Sequence, residues 1–351
     1  MSNKFTRRPL VAAIGMGLAL AALLGTGTAF AQATDMLELT LATADTDVNP
    51  TTDSVLKLAA TLGFYEKHGV KVKIVALDGT PQAVAALNSG AVDLADISID
   101  AAIRLRADNG LPLRGVVAGT LGAPYLIAAK TEIGKVEDLV GKSFAIADNG
   151  SLDHTYTQLV LNSMGVASDG PQYVAIGAPA ARVQALAAGK VDATTVSYGT
   201  FLPIAETPGI HILVSPEAFS DATPGVSKFI ATLDKTAEAK HEAIQRFVDA
   251  LIDASRTFEK EPKQWIDAMV AARDDLSPAN LEKTAQFLAG RWCVNGCMNP
   301  AAIAKTVAFT YTTPDFKDVK PVDVDALVDE SFAAKAVETA GPFDGPGLDV
   351  R

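Results

Sequence analysis

Short apolar runs alternate with amphipathic stretches along much of this chain. The runs Leu37–Ala42, Val70–Leu77 and Ser143–Ala147 predict strands, whereas Leu56–Lys67 and Ser151–Met164 carry the period of helices. Strands and helices that alternate at this spacing are typical of parallel sheets covered by helices. The pattern therefore predicts an α/β protein built from strand–helix–strand units.

An internal repeat indicates that there are two such units. Residues Ala86–Leu94 read ALNSGAVDL, and 99 residues later Ala185–Ala193 read ALAAGKVDA. Both copies follow a proline, Pro81 or Pro179, at a position where a helix tolerates the missing N–H. Each copy is predicted to be a helix that ends at a glycine and is followed at once by a buried strand.

Two repeated units predict two lobes with a cleft between them. We expect lobe 1 to contain residues 32–121 and 233–351, and lobe 2 to contain residues 122–232, so that the chain crosses between lobes twice. Four helical segments follow the second crossing and are expected to pack on lobe 1 or the hinge: Ala237–Phe258, Pro262–Ala272, Pro278–Leu288 and Pro300–Ala308. The tail from residue 341 to 351 is rich in glycine and proline and is predicted to be disordered.

The N-terminal segment has the pattern of a secretory signal peptide. Basic residues precede an apolar run from Leu10 to Leu24, and small residues close the segment near Ala31. The run is shorter than the ~20 residues that span a bilayer. We expect residues 1–31 to be removed, by general secretion rather than the twin-arginine route, leaving a periplasmic protein. Since the first cysteine is Cys293, no lipid anchor is expected at the cleavage site.

Charge and cysteine content narrow the possible partners. With 30 basic and 41 acidic side chains the formal net charge is −11, which disfavours binding to nucleic acid or to anionic lipid. Cys293 and Cys297 flank an Asn-Gly turn, and in an oxidising compartment we predict that they form a disulfide. The alternative is half of a metal site, but the four histidines show no paired ligand spacing, so no metal is predicted.

The sequence carries no recognisable catalytic motif. It lacks G-x-S-x-G, H-E-x-x-H, a P-loop and a G-x-G-x-x-G after a strand. Polar residues instead follow the predicted strands, where open parallel sheets bind ligands. The candidate ligand-binding residues are Asp45, Asn49, Thr80, Gln82, Ser98, Asp100, Asn149, Ser151, His154 and Tyr198. Helix capping or solvation is the alternative role for each of them taken alone.

The same positions suggest the charge of the ligand. Helices that begin near Thr80, Asp100 and Ser151 offer N–H groups to an acceptor or anionic group. No arginine or lysine is expected at the strand ends, since Arg104 and Arg182 lie a turn into their helices. Three carboxylates are expected there, those of Asp45, Asp100 and Asp148. This combination favours a ligand with an acceptor end and a donor or cationic end, such as an amino-sulfonate, a zwitterion or an aminopyrimidine.

Four motifs together resemble a known family. Gly63–Val70 (GFYEKHGV), Ala85–Asp93 (AALNSGAVD), Asp138–Lys142 (DLVGK) and Ala185–Asp192 are similar to segments of the solute-binding proteins of nitrate, sulfonate and taurine ABC importers. That family is related to the proteins that bind the pyrimidine precursor of thiamine. The resemblance covers roughly Leu37 to Ala254 and implies a type II periplasmic-binding fold with two lobes that close on a solute.

The resemblance also implies a function. It implies a periplasmic binding protein without cofactor, a monomer, that delivers a small polar solute to a membrane permease with its own ATPase. A sulfonate- or taurine-like or other zwitterionic solute is the leading expectation. A pyrimidine, small aromatic or carboxylate solute is one alternative. Another is an exported enzyme on the same scaffold, for which His154 is the histidine placed to act as a base. A role as a ligand-loaded partner of a membrane sensor stays open.

Overall fold

The computed structural model describes residues 36–344 except residues 78 and 224. The predicted signal peptide and residues 345–351 of the predicted disordered tail lie outside this part of the chain. Within it, ten strands form two five-stranded sheets. The strands are β1 Leu37–Thr43, β2 Val70–Ala76, β3 Leu94–Ser98, β4 Leu113–Val117, β5 Tyr125–Lys130, β6 Ser143–Ile146, β7 Gln172–Ala175, β8 Ala193–Ser197, β9 Ile210–Val214 and β10 Lys228–Leu233.

Helices cover both sheets, and most of those C-terminal to β10 pack on the first sheet and its helices. They are α1 Ser54–Thr61, α2 Phe64–Lys67, α3 Thr80–Ser89, α4 Ile99–Asn109, α5 Leu152–Ser163, α6 Pro179–Ala187, α7 Tyr198–Phe201, α8 Pro216–Ala222, α9 Asp234–Ala239, α10 His241–Lys260, α11 Pro262–Ala272, α12 Pro278–Leu288, α13 Pro300–Thr310, α14 Val324–Leu327 and α15 Ser331–Ala340. The predicted helix Leu56–Lys67 is two helices, because Gly63 takes a left-handed backbone conformation (φ 77°) between them.

The internal repeat corresponds to equivalent elements of the two sheets. Helices α3 and α6 carry a proline in the first turn, and glycines with positive φ, Gly90 (74°) and Gly189 (69°), follow their ends. The sheet orders are β2-β1-β3-β10-β4 and β7-β6-β8-β5-β9, so the two sheets have the same arrangement. This confirms the duplicated strand–helix–strand unit.

Both sheets are mixed rather than parallel, which corrects the sequence-based expectation. Strand β10 runs antiparallel between β3 and β4, and β5 runs antiparallel between β8 and β9. Each of these central strands follows a crossing segment, so each sheet is completed by a strand that arrives from the opposite direction. The hydrophobic pattern predicts that a segment is a buried strand, but it does not predict whether the strand runs parallel or antiparallel to its neighbours.

We call sheet 1 (β1–β4 and β10) with its helices lobe 1, and sheet 2 (β5–β9) with its helices lobe 2. Strand β10, Lys228–Leu233, hydrogen-bonds to β3 and β4 in sheet 1, so the chain crosses back to lobe 1 before Lys228. The sequence predicted this boundary after residue 232. We keep the division into two lobes as a proposal, with this earlier crossing. The core of lobe 1 includes α10, where Phe247 stacks on Tyr65 at 5.4 Å between ring centroids.

The hinge consists of the two crossing segments and the disulfide loop beside them. Gly122 donates its backbone N–H to Gly225 at 2.7 Å, which joins the two crossings. Cys293 and Cys297 form the disulfide expected from the sequence, and the N–H of Cys293 donates to Gly119 in the first crossing at 3.2 Å. The disulfide therefore fixes a loop that is hydrogen-bonded to the hinge.

Candidate functional site

A cleft of about 240 Å³ lies between the two lobes. Its walls include the first residues of three helices, α3 from lobe 1 and α5 and α6 from lobe 2. Ser197 before α7 and Thr200 within α7 also line it. Free N–H groups at helix N-termini attract acceptor groups, so these walls suit an anionic or hydrogen-bond-accepting end of a ligand. Of the residues expected from the sequence, Asp45, Thr80, Gln82 and Ser151 line this cleft.

Asn49 joins the lobes and lines a neighbouring cavity that shares Asp45 and Thr200 with the cleft. Its Nδ2 donates to Ser197 Oγ and to Thr200 Oγ1, both at 3.0 Å, and the side chain is buried. The N–H of Gly199 donates in the opposite direction to Thr51 Oγ1 at 3.2 Å. These hydrogen bonds connect the loop after β1 to the start of α7, so Asn49 holds the lobes together beside the cleft.

Ser98, Asp100 and Asn149 line a second cavity of about 240 Å³, here called the side chamber, which adjoins the cleft. Asp45 and Asp100 therefore face different cavities, although the sequence placed them in one region. Asp100 is only 3% exposed, and this burial raises the pKa of its carboxyl group to about 6.

His154 and Tyr198 line neither the cleft nor the side chamber. The N–H of Gly150 donates to His154 Nδ1 at 3.0 Å, and His154 Nε2 lies 3.1 Å from Gln158 Nε2. Burial lowers the pKa of His154, even though the carboxylate of Asp315 opposes the shift. Tyr198 packs near Phe287, with 6.1 Å between ring centroids. Both side chains occupy packing positions in this structure.

Two cations in the cleft were missed by the sequence analysis. Lys228 Nζ donates to Asp96 Oδ2 at 2.8 Å, and its side chain is 13% exposed. Lys228 is the first residue of an antiparallel strand, so it lies at the edge where the parallel strands end. Arg182 was expected a turn away from the site, but helical side chains point toward the helix N-terminus, and its Nη1 donates to Gly177 O.

Each cleft cation already has a carboxylate partner. Although burial alone would lower the pKa of Lys228, the Asp96 carboxylate raises it, so the pair is ionic. Arg182 Nη2 lies 3.7 Å from Asp153 Oδ2. Two further carboxylates, those of Asp45 and Asp148, line the cleft, and no described cation lies within 4.0 Å of either. The cleft thus combines helix N-termini with an excess of negative side chains.

The described residues offer neither a metal site nor a membrane-spanning helix. No group of three or more His, Cys, Asp or Glu side chains is placed to hold a metal ion there. No helix in the same part of the chain is long and apolar enough to cross a membrane.

Comparisons with known proteins agree with this architecture. A family model described as NMT1/THI5 like matches residues 54–265, more than half of the chain. A relative from Brucella abortus, provisionally named a binding protein, is 27% identical over 235 residues, which cover 66% of this chain and 71% of the relative.

Two solved structures show the same fold. The alkanesulfonate-binding protein of Xanthomonas axonopodis pv. citri, bound to MOPS, has a TM-score of 0.67 at 22% identity, covering 84% of this chain and 98% of that one. The periplasmic nitrate-binding protein of Synechocystis PCC 6803 has a TM-score of 0.71 at 12% identity, covering 90% and 93%. At these identities the likeness establishes the arrangement of elements, not the ligand.

Proposed function

The chain belongs to the NMT1/THI5-like family and has the type II periplasmic-binding fold, and we propose from this premise that it is the solute-binding component of an ABC importer. In this proposal the exported protein captures a small polar solute between its lobes as a monomer. It then delivers the solute to a membrane permease driven by a separate ATPase. The relatives named as nitrate- and alkanesulfonate-binding proteins support this class of function.

A zwitterionic solute, such as an amino-sulfonate, is our proposal for the ligand. The balance of charge in the cleft carries this proposal. Asp96 forms an ion pair with Lys228, and Asp153 lies 3.7 Å from Arg182. The further carboxylates of Asp45 and Asp148 leave no net positive charge for a plain anion. Helix N-termini suit the acceptor end of the solute, and the carboxylates of Asp45 and Asp148 suit a cationic end. The remaining proposed contacts in the cleft are Thr80, Gln82 and Ser151, while Ser98, Asp100 and Asn149 serve the side chamber.

A binding role is also favoured over catalysis. The one histidine that the sequence placed near the site has both ring nitrogens within hydrogen-bond distance of Gly150 and Gln158, and its pKa is lowered by burial. A general base must reach the proton that it removes, and His154 does not line the cleft. We therefore propose that the chain is not an enzyme.

Calorimetry with a matched pair of probes tests the proposed ligand. Taurine differs from ethanesulfonate by one ammonium group. A cleft that binds both the sulfonate and the ammonium group should therefore bind taurine at least about tenfold more tightly than ethanesulfonate. Asp45→Asn should remove most of this preference, while the exposed control Asp325→Asn should keep it. Equal binding of the two probes, or an unchanged preference in Asp45→Asn, would contradict the zwitterion proposal.

A thermal-shift screen separates the zwitterion from the alternative solutes. The mature protein is compared with taurine, aminopyrimidines and small carboxylates, and the class that raises Tm most identifies the solute. Small-angle scattering with that compound should then show a smaller radius of gyration, since lobe closure removes the ligand from water. An unchanged scattering profile at saturation would count against capture by closure.

A further inference from the structure

The side chamber is continuous in its lining with the cleft. Thr80, Pro81, Asp148, Ser151 and Leu152 line both cavities. A solute held in the cleft can therefore extend past these residues without a separate entrance. The two cavities are of similar volume, about 240 Å³ each, so the side chamber has room for a substantial part of a small molecule.

The long walls of the side chamber are apolar. Val84 from α3 and Ala101 and Leu105 from α4 line it. Pro81 and Leu152, which also line the cleft, add to this apolar surface. Burying a methylene group of a ligand against such a surface stabilises the complex. Each buried group raises the affinity roughly threefold to fourfold. The walls thus suit an aliphatic chain rather than a second charged group.

Three buried polar atoms in the lining of the side chamber lack a hydrogen-bond partner within the described part of the chain: Asp100 Oδ1, Ser98 Oγ and Arg104 Nε. Asp100 Oδ1 is buried without a hydrogen-bond partner, and no described cation lies within 4.0 Å of the carboxylate. The positive charge of Arg104 acts to lower the pKa of Asp100, but the two side chains form no ion pair within 4.0 Å. Arg104 Nη2 instead donates to the backbone oxygen of Asp315 at 3.0 Å, and its guanidinium lies over the Phe316 ring. A buried carboxylate in this state is costly unless a donor reaches it.

The balance of charge favours a cationic donor. Asp100 and the exposed Asp148 line the side chamber, and Arg104 is the one cation among its lining residues. The lining therefore carries one excess negative charge, which an ammonium group would compensate. An ammonium group also supplies the N–H donors that Asp100 Oδ1 lacks.

We propose that the side chamber is a second subsite, which takes an aliphatic chain ending in an ammonium group that binds Asp100. This inference rests on the proposed function and deepens it, because it assigns the solute a longer ω-amino chain than taurine has. The acceptor end stays at the helix N-termini of the cleft, and the apolar walls cover the methylene groups. The ammonium group of a chain that is too short to reach Asp100, such as that of taurine, stays beside Asp45 and Asp148.

The first experiment measures affinity along a homologous series by calorimetry on the mature protein. The probes are ω-amino-alkanesulfonates with two, three, four and six carbons. Affinity should rise by about threefold to fourfold per added methylene group, or about a hundredfold from two to six carbons, in the parent and in the control Asp108→Asn, which lies on the same helix. Asp100→Asn should bind the six-carbon probe at least about tenfold more weakly than the parent does. The same rise in Asp100→Asn as in the parent would overturn the proposal.

A steric variant keeps the test valid if Asp100→Asn folds poorly. Ala101→Leu places a larger side chain in the apolar wall and should remove the dependence on chain length while leaving taurine binding unchanged. Ala85→Leu, on an exposed position of α3, is the matched control and should behave like the parent. An undiminished dependence on chain length in Ala101→Leu would overturn the subsite.

A probe without an acceptor end separates this proposal from the proposed function. Saturation-transfer NMR with n-hexylammonium should show binding to the parent, Asp108→Asn and Ala85→Leu, with loss in Asp100→Asn and Ala101→Leu. If n-hexylammonium binds in this pattern but no sulfonate binds, the side chamber stands and the proposed solute class fails. If taurine binds but n-hexylammonium gives no signal, or equal signals in all five proteins, the side chamber fails and the proposed function stands.

Discussion

At the scale of single residues, the repeated Val-Asp pair has a structural explanation. Asp93 Oδ2 accepts from the N–H of Thr40 in β1 at 2.9 Å, and Asp192 Oδ2 accepts from the N–H of Ser143 in β6 at 3.0 Å. In each lobe the aspartate thus satisfies a backbone donor of the neighbouring strand, as its place after the helix predicts. Each carboxylate also binds a lysine, Asp192 with Lys130 at 2.7 Å.

The contacts of Asp192 should make the free energy of unfolding depend on pH. The hydrogen bond from Lys130 and those from Ser143 lower the pKa of Asp192 to about 2. A carboxyl group with a lowered pKa in the folded state adds stability above the pKa of the unfolded chain, and this stability is lost as pH falls toward the folded value. Asp192→Asn should lower the free energy of unfolding by about 1–2 kcal/mol at pH 7, discounted for partial exposure, and by less near pH 3.

Urea unfolding of both proteins between pH 7 and pH 3 measures this difference. Asp318→Asn, whose parent side chain is 90% exposed, is the control and should follow the parent at every pH. If the free energy of unfolding of Asp192→Asn lies below that of the parent by the same amount at every pH, the lowered pKa of Asp192 does not contribute to stability.

The disulfide should contribute modestly to stability. Cys293 and Cys297 are only four residues apart, so the bond restricts little of the unfolded chain. The double variant Cys293→Ala/Cys297→Ala should lose about 2 kcal/mol, the low end for disulfides, in urea unfolding. Reduction of the parent should cost a similar amount. Two alkylatable thiols in protein recovered from the periplasm, detected by mass spectrometry, would show that the bond does not form there.

At the scale of elements, the sequence predicted the repeated unit and missed what completes it. Helix α6 and strand β8 follow from a proline, a glycine and an apolar run, which are local signals. Strands β4 and β9 have no such repeat and were not predicted. The direction of β10 depends on the crossing between lobes, so Lys228 was not expected in the cleft. Which residues face which cavity depends on tertiary packing, so the sequence did not separate Asp100 and Asn49 from the residues that line the cleft itself.

The short helix α7 contacts lobe 1 too closely to admit a side chain at its second residue. A Cβ on Gly199 would meet Asn49 Oδ1 and would lie 2.7 Å from Pro50 Cδ. Gly199→Ala should therefore push the lobes apart, at a cost of about 1–3 kcal/mol for overpacking. Small-angle scattering should show a larger radius of gyration for this variant than for the parent.

Gly134→Ala is the matched control, because its Cβ would meet no atom within 4 Å. It should have the radius of gyration and the Tm of the parent. If Gly199→Ala and Gly134→Ala give the same scattering profile, the lobes have not moved apart. The added methyl group is then accommodated by local shifts between α7 and the loop after β1.

At the scale of the whole molecule, the two lobes have different relations to the chain. All strands of sheet 2 come from one continuous stretch, 125–214, whereas sheet 1 needs β10, which the chain reaches only after lobe 2. The core of lobe 1 and the two clusters that cover the faces of sheet 2 are separate groups of buried side chains. Each lobe therefore has its own core, and the lobes are joined by the hinge, by a few polar contacts and by a few apolar side chains, Tyr198, Leu202 and Phe309.

This organisation predicts that damage to one central strand abolishes one lobe. Ala231 in β10 pairs with Ala95 and Gly115, and Ala128 in β5 pairs with Thr194 and Ile212. Proline at either position removes a ladder donor in the middle of a sheet, where it is not tolerated. Ala231→Pro should thus abolish amide protection in β1 and β3 and preserve it in β6 and β8, because lobe 2 needs no segment beyond its own stretch.

Ala128→Pro should give the reverse pattern in hydrogen exchange. Lobe 2 then becomes a long loop inside lobe 1, and the entropy of closing a loop grows only slowly with its length, by about 0.6 kcal/mol per doubling. Trp265 and Trp292, both buried in lobe 1, should keep their native fluorescence in Ala128→Pro and lose it in Ala231→Pro. If either variant loses protection in both sheets together, the lobes fold as one cooperative unit, and the hinge with its disulfide loop couples them more strongly than their separate cores suggest.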